Sequence, residues 1–389
     1  MRTPQRSVAV LAMLAAFLTA CGVSNAGTSG SSNIGAIRIA VMGAFAGQLY
    51  TPGADNAFKM AVDEINSSGG INGQKIEYKE FDVGATPQGG VNGTSLALQY
   101  NPTFFIGFTT STTLKAPIDM INQAGVPVIH TTLPSLTSPK SLGSNLTFRL
   151  STNTAMYAFG SDEYLYNTLG VKRIMLINTD DVAPTEGGNY LVTDAIKAGA
   201  SYQHRTIPVA ATDLTEPILA AKAMNAQAIW EWGYPTTDAL TVKTAAANGF
   251  DGYVMTFSAA TAARNGIIPI NLLTDKVMAV NTCVPYVLST PEAKKYVAAY
   301  KAKYGVDVTD SVTSTWYDAV YIYKEAVLAA GSTEPKAVAS ALSKIDHKGV
   351  CGQEKTDANH NLIHSVELIK YTGGTPVLVK NVENVPSPY

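Results

Sequence analysis

Apolar positions recur along this chain in two rhythms that take turns. Residues 37–45, "IRIAVMGAF", form an apolar run of strand length. Residues 54–66 put Phe58, Ala61, Val62 and Ile65 on one face of a helix. A Gly-, Asn- and Ser-rich turn leads into "KIEYKEFD", where Ile76, Tyr78 and Phe81 predict a half-exposed strand. A helix over 88–99 follows, then a strand over 104–108, a helix from "LKAPIDMINQAG" and the strand "VPVIH". Strands alternating with helices predict a parallel sheet covered by helices on both faces.

A second set follows in the same order. Strand "RIMLIN" (173–178) precedes a loop through "DDVAPTEGG", helix 189–200 and strand "YQHRTIPV". Next come a helix over 215–225, strand "AIWEWG" (228–233), helix 237–250 and strand 253–257. Helices over 291–304, 314–330 and 335–344 follow, and "SVELIKYTGGTPVLV" reads as a closing hairpin. Within "AIWEWG", Trp230 and Trp232 share one face and Glu231 takes the other, since strand side chains alternate. The two tryptophans are either core or cleft wall.

Two strands end in hydroxyls. After 104–108 come Thr109, Thr110, Ser111, Thr112 and Thr113; after "VPVIH" come Thr131 and Thr132, with Ser135 beyond. In open parallel sheets ligands bind outside the carboxyl ends of strands. Hydroxyls suit that place because they donate and accept without adding a charge. A single helix cap does not need five of them, although capping alone is the competing explanation.

Composition decides where the chain works. "MRTPQRSVAVLAMLAAFLTAC" carries Arg2 and Arg6, then an apolar stretch and small residues, as a secretory signal does. "LTAC" resembles a bacterial lipobox, with cleavage before a lipid-bearing Cys21; residues 21–34 then form a flexible tether. Arg2 and Arg6 leave with the signal, so 26 basic side chains face 30 acidic ones, and no basic block argues for nucleic acid. Length favours two lobes over one core. Cys283 and Cys351 are the other two cysteines; outside the cytoplasm they either pair or stay separately buried.

Five phrases in order, "IAVMGAFAGQLYTPGADNAFKMAVDEINSSGGINGQKIEYKEFD", "FFIGFTTSTT", "AGVPVIHTT", "WGYPTTDALTVKTAAANGF" and "YDAVYIYKEAVLAAG", resemble the type I periplasmic solute-binding fold, and within it the branched-chain amino-acid-binding family of ABC importers. The resemblance implies an α/β protein of two doubly wound parallel-sheet lobes joined by a three-crossover hinge. It implies lobe 1 at 35–151 plus 281–363 and lobe 2 at 152–280 plus 364–386. Ser111 then falls on a carboxylate-binding serine, Thr132 among residues meeting the amino and carboxyl groups, and Tyr234 on a cleft tyrosine. Tyr50 and Thr51 fall in the first strand-to-helix loop, where an aromatic packs on the ligand. For Tyr234 the alternative is a turn tyrosine exposed beside Pro235.

Three positions depart from that family. Ser258 stands where an acid pairs with the ligand ammonium, Pro184 where a tyrosine is common, and Pro134, with Ser135 beside it, where a cleft threonine sits. A buried ammonium without an anion costs several kcal/mol. Asp180, Asp181, Glu186 or Glu231 would have to supply the charge.

Catalysis finds no support: GxSxG, HExxH and GxxxxGK[ST] are all missing. His360 and His364 lie in a turn-then-strand stretch rather than on a helix face. "DANHN" starts like a calcium loop but lacks its glycine and closing glutamate, and the family's turn before a strand is the simpler reading. The expectation is therefore a monomeric, lipid-anchored, extracytoplasmic solute-binding protein of an ABC importer. Its partners are a small-molecule ligand and the permease and ATPase subunits, with no cofactor and no metal. A ligand-sensing receptor is the alternative.

Overall fold

The structure is a computed structural model and describes residues 35–46, 52–108, 110–131, 142–309, 312–363 and 365–385 (of Val312 the backbone only). Cys21, Tyr50, Thr51, Thr109, Thr132, Ser135 and His364 lie outside the described residues.

Two sheets organise the chain. The first has strand order β2-β1-β3-β4-β5, all parallel: β1 (Ile37–Gly43), β2 (Ile76–Asp82), β3 (Phe104–Gly107), β4 (Val128–His130) and β5 (Thr147–Arg149). Strand alternation sorts its side chains into two layers. Ile39, Val41, Phe104, Ile106 and Ile129 pack under α1 (Pro52–Ser67), α10 (Pro291–Tyr304), α11 (Val312–Ala330) and α12 (Pro335–Leu342). Ala40, Met42, Phe105 and Val128 pack under α2 (Pro87–Gln99), α3 (Ser111–Lys115) and α4 (Ile118–Ala124).

The second sheet runs β14-β13-β10-β9-β8-β6-β7. Its parallel part is β6 (Arg173–Thr179), β7 (Ser201–Ile207), β8 (Ala228–Trp232), β9 (Tyr253–Thr256) and β10 (Val277–Asn281). The hairpin β13 (Val366–Thr372) and β14 (Thr375–Val382) closes it antiparallel. Helices α5 (Thr154–Asp162) and α6 (Val182–Lys197) lie on one face; α7 (Thr215–Ala223), α8 (Pro235–Ala247) and α9 (Ala259–Arg264) lie on the other. A small hairpin, β11 (Asp346–Gly349) and β12 (Gly352–Lys355), stands apart.

Several elements differ from the sequence reading. The loop expected through "DDVAPTEGG" is the opening of α6, because Asp181 caps it by accepting from Val182 N at 2.7 Å. Gly187 and Gly188 there let the helix lie against Trp232 and Asn178, whose atoms any Cβ would strike. The helix expected from Leu114 starts earlier, at Ser111, and is interrupted before α4 by Pro117. The sequence pattern does not predict strands β5, β10, β11 and β12, helix α9, or helix α5 with its π-helical continuation Glu163–Thr168. Most are short, and α5 has no clean apolar stripe.

The chain crosses between the sheets three times, near 150–153, 281–284 and 363–366. One carbonyl ties the crossings together: Thr152 Oγ1 and Thr282 Oγ1 both donate to Ser365 O, at 3.0 and 3.1 Å. Glu367 binds the second crossing, accepting from Val284 N at 2.9 Å. Cys283 and Cys351 are joined in a disulfide with Cα atoms 4.5 Å apart. No helix among the described residues is long and apolar enough to cross a membrane.

Candidate ligand-binding site

Because the first two crossings leave from the carboxyl ends of β5 and β10, those ends of both sheets lie beside the hinge. The wall from the first sheet is built by local turns. Gly107 (φ 108°) and Phe108 (φ 66°) turn the chain sharply after β3. A Cβ on Gly107 would meet Trp316 at 2.8 Å, so glycine also serves the close approach there. Thr110 then caps α3. Its Oγ1 accepts from Thr113 N at 3.2 Å, and Thr113 Oγ1 accepts from Thr110 N at 3.2 Å.

The hydroxyl row is thus divided. Thr110 and Thr113 hold the turn, whereas the hydroxyl of half-buried Ser111 has no hydrogen-bond partner among the described residues. Thr131, at the end of β4, is 2% exposed, and its Oγ1 also lacks a partner among them. Arg149 ends β5, fully buried; burial lowers its pKa to about 10, against the opposing pull of Asp357 and Glu186. It stays a cation at neutral pH. Glu186 belongs to α6, so this attraction spans both lobes.

The second wall is aromatic and acidic. Trp230 stacks on Trp232 at 5.2 Å, and Trp232 stacks on Phe257 at 5.3 Å. Tyr157 sets its edge against Phe257 at 4.9 Å and Trp232 at 6.1 Å. Trp230 is core, with its Nε1 donating to Ser161 Oγ at 3.0 Å. Trp232, 1% exposed, stands behind half-buried Phe257, so Phe257 is the aromatic face that reaches the surface. Pro184 is buried in the first turn of α6 rather than exposed in a loop. Tyr234 is no free turn residue: its phenol donates to Asp181, and burial with that neighbour pushes its pKa up.

Ser258 is turned away from the role of a free donor. Its N–H and its hydroxyl both bond Asp238 Oδ2, the hydroxyl at 2.7 Å. Asp238 and Glu231 are 0% exposed and face each other. Burial and mutual repulsion push Glu231 well up, and burial raises Asp238. Sequence reading missed Asp238 and Tyr157. Asn153 two residues before the "AMYAFG" run is the N-cap signal that would have found Tyr157's helix.

The remaining candidates have other duties. Asp180 accepts from Val209 N at 2.9 Å. Asp357 accepts from Asn359 N and Asn361 N, both at 2.8 Å, so "DANHN" is a self-bonded turn rather than an ion loop. His360 stacks on Phe148 at 4.4 Å.

Known proteins share this architecture. A family model described as periplasmic binding protein matches residues 36–375. The Leu/Ile/Val-binding protein homolog 8 of Brucella suis is 22% identical over 347 residues, covering 84% of each chain. A leucine-binding protein of Thermotoga maritima superposes with a TM-score of 0.79 at 20% identity, covering 89% of this chain and 99% of that one. An ABC-transporter solute-binding protein of R. palustris in complex with benzoate gives 0.77 at 16% identity, covering 90% and 97%.

Proposed function

We propose that this chain, which belongs to the periplasmic binding protein family, is the extracytoplasmic, lipid-anchored solute-binding component of an ABC importer and not an enzyme. Lobe 1 (35–151 plus 281–363) holds a small ligand, lobe 2 (152–280 plus 364–386) closes over it about the crossings, and the closed form docks on the permease. Within the expected range of amino acid, carboxylate or amide, the site favours an aromatic carboxylate or amide. The observation that carries this is the division of labour between the walls. Ser111 and Thr131 offer hydroxyls, while Phe257, backed by Trp232, offers a flat face.

An α-amino group is poorly served. Asp181 holds the Tyr234 phenol, Asp180 holds a backbone N–H, Glu186 is drawn to the Arg149 guanidinium, and Glu231 is sealed with Asp238. The benzoate complex of a structural neighbour is in keeping with this choice. Calorimetry with benzoate, benzamide, leucine and valine tests it. Tight binding of leucine or valine, with no response to benzoate or benzamide, would refute the ligand class. For the anchor, Cys21→Ala should abolish lipidation and release the chain from membranes; normal processing and anchoring of that variant would refute it.

A further inference from the structure

Outside this site, α11, β11 and β12 bring three ligating side chains together: Asp318, His347 and Glu354. One ligand atom from each lies within 4.8 Å of the others. Asp318 is 1%, Glu354 0% and His347 8% exposed. No N–H or hydroxyl among the described residues donates to either Glu354 oxygen; Glu354 faces the Asp318 carboxyl, and its Oε2 stands 4.0 Å from His347 Nε2. Among the described residues no Lys or Arg pairs with Asp318 or Glu354.

The surroundings are arranged for this cluster. His347 Nδ1 lies 2.8 Å from Glu325 Oε1. With that N–H donated to Glu325, Nε2 turns its lone pair toward the two buried carboxyls, as a carboxylate-oriented histidine does in metal sites. Asp318 Oδ2 accepts from Cys351 N at 3.1 Å. Gly349 makes room, since a Cβ there would sit 2.7 Å from the Asp318 carboxylate.

We propose that Asp318, His347 and Glu354 bind a divalent transition-metal ion, Zn²⁺ by preference, which clamps the β11–β12 hairpin to α11. One imidazole and two carboxylates are ordinary zinc donors, with bonds of about 2.0–2.2 Å. Such bonds set tetrahedral ligand atoms roughly 3.4 Å apart, so the 4.0 Å pair closes by a fraction of an ångström each. The ion supplies the positive charge that two buried carboxylates otherwise obtain only from His347 or a retained proton.

The test uses the full chain, stripped with a chelator and titrated with ZnCl₂ alone. One equivalent should bind, with a Kd of about 10 µM or tighter, and unfolding should move to higher temperature. His347→Gln and Glu354→Gln should each weaken binding at least about tenfold, and Glu325→Gln, which only orients the imidazole, about tenfold. His204→Gln should change nothing. If Glu354→Gln does not fold, Co²⁺ added to the unaltered chain decides: visible d–d bands of a four-coordinate site with histidine nitrogen are expected. Absence of stoichiometric Zn²⁺ binding, binding unmoved by His347→Gln, or Co²⁺ without those bands would overturn the proposal.

Discussion

The two walls of the site are made in different ways. The first is local: Thr110 and Thr113 bond each other across one helical turn, and Gly107 and Phe108 set the direction. The second is assembled from afar. Tyr234 meets Asp181 over 53 residues, Ser258 meets Asp238 over 20, and Tyr157 reaches Trp232 from helix α5, near the start of the second lobe. A local wall fails one cap at a time, whereas an assembled wall fails through its shared packing. The first should therefore tolerate substitution better in stability.

The largest effect is expected at the centre of the second wall. Trp232→Ala removes a buried indole that contacts Trp230, Phe257 and Tyr157 at once. Loss of transfer energy plus a cavity predicts about 3–5 kcal/mol of destabilisation, read from denaturant unfolding. A loss below about 1 kcal/mol would mean that the aromatic stack is not a cooperative unit.

Acidity separates the walls next. The first wall's hydroxyls do not titrate, whereas the second wall and hinge contain buried acids. Burial raises Glu367 to about 7 from an ordinary 4.5. The folded state therefore keeps a proton that the unfolded chain releases, so this stabilisation is complete below about pH 4.5 and is lost as pH rises through 7. Glu231 and Asp238 are shifted in the same direction. The Glu367 share is about 3 kcal/mol at full extent. Melting temperatures should fall between pH 5 and pH 8, and Glu367→Gln, which keeps an acceptor for Val284 N, should flatten part of that slope. An unchanged slope in the variant would place the titration elsewhere.

What could be read from the sequence follows the same division. Alternating strands and helices, and the pairing of Trp230 with Trp232 on one face, are properties of short windows. The hydroxyl row could be located but not apportioned, because capping and ligand binding call for the same side chains at the same turn. Asp238 was invisible as a site residue: its spacing in α8 is ordinary, and only the fold brings it to Ser258 and Glu231. The "DDVAPTEGG" stretch misled because proline and glycines signal a loop locally. Here the glycines serve contacts with Trp232 and Asn178, which only the packed helix reveals. Gly187→Ala tests that account directly. The added methyl meets a rigid indole, so overpacking of about 1–3 kcal/mol is expected. A neutral or stabilising result, as helix propensity alone would favour, would show that α6 moves away freely.

The smallest stability effects belong to the first wall, and there the comparison becomes functional. Thr110 and Ser111 are adjacent hydroxyls with opposite prospects. Thr110→Ala removes a capping-box acceptor and should cost about 1 kcal/mol in unfolding experiments. Ser111→Ala removes a half-buried hydroxyl with no partner among the described residues, so its stability should change by less than about 0.5 kcal/mol. Binding should show the reverse order. If Ser111 donates to the ligand, its loss removes one hydrogen bond to a charged or strongly accepting group, worth about 1.5–3 kcal/mol. That corresponds to a Kd roughly 10- to 150-fold weaker for benzoate or benzamide, whichever binds. Thr110→Ala should alter affinity far less, since Thr113 still holds α3 through its bond to Thr110 O at 2.8 Å. Calorimetry and chemical unfolding on the two variants side by side resolve the pair. Equal losses of affinity would assign the whole hydroxyl row to shaping the turn, and the ligand would then have to be held by the second wall alone.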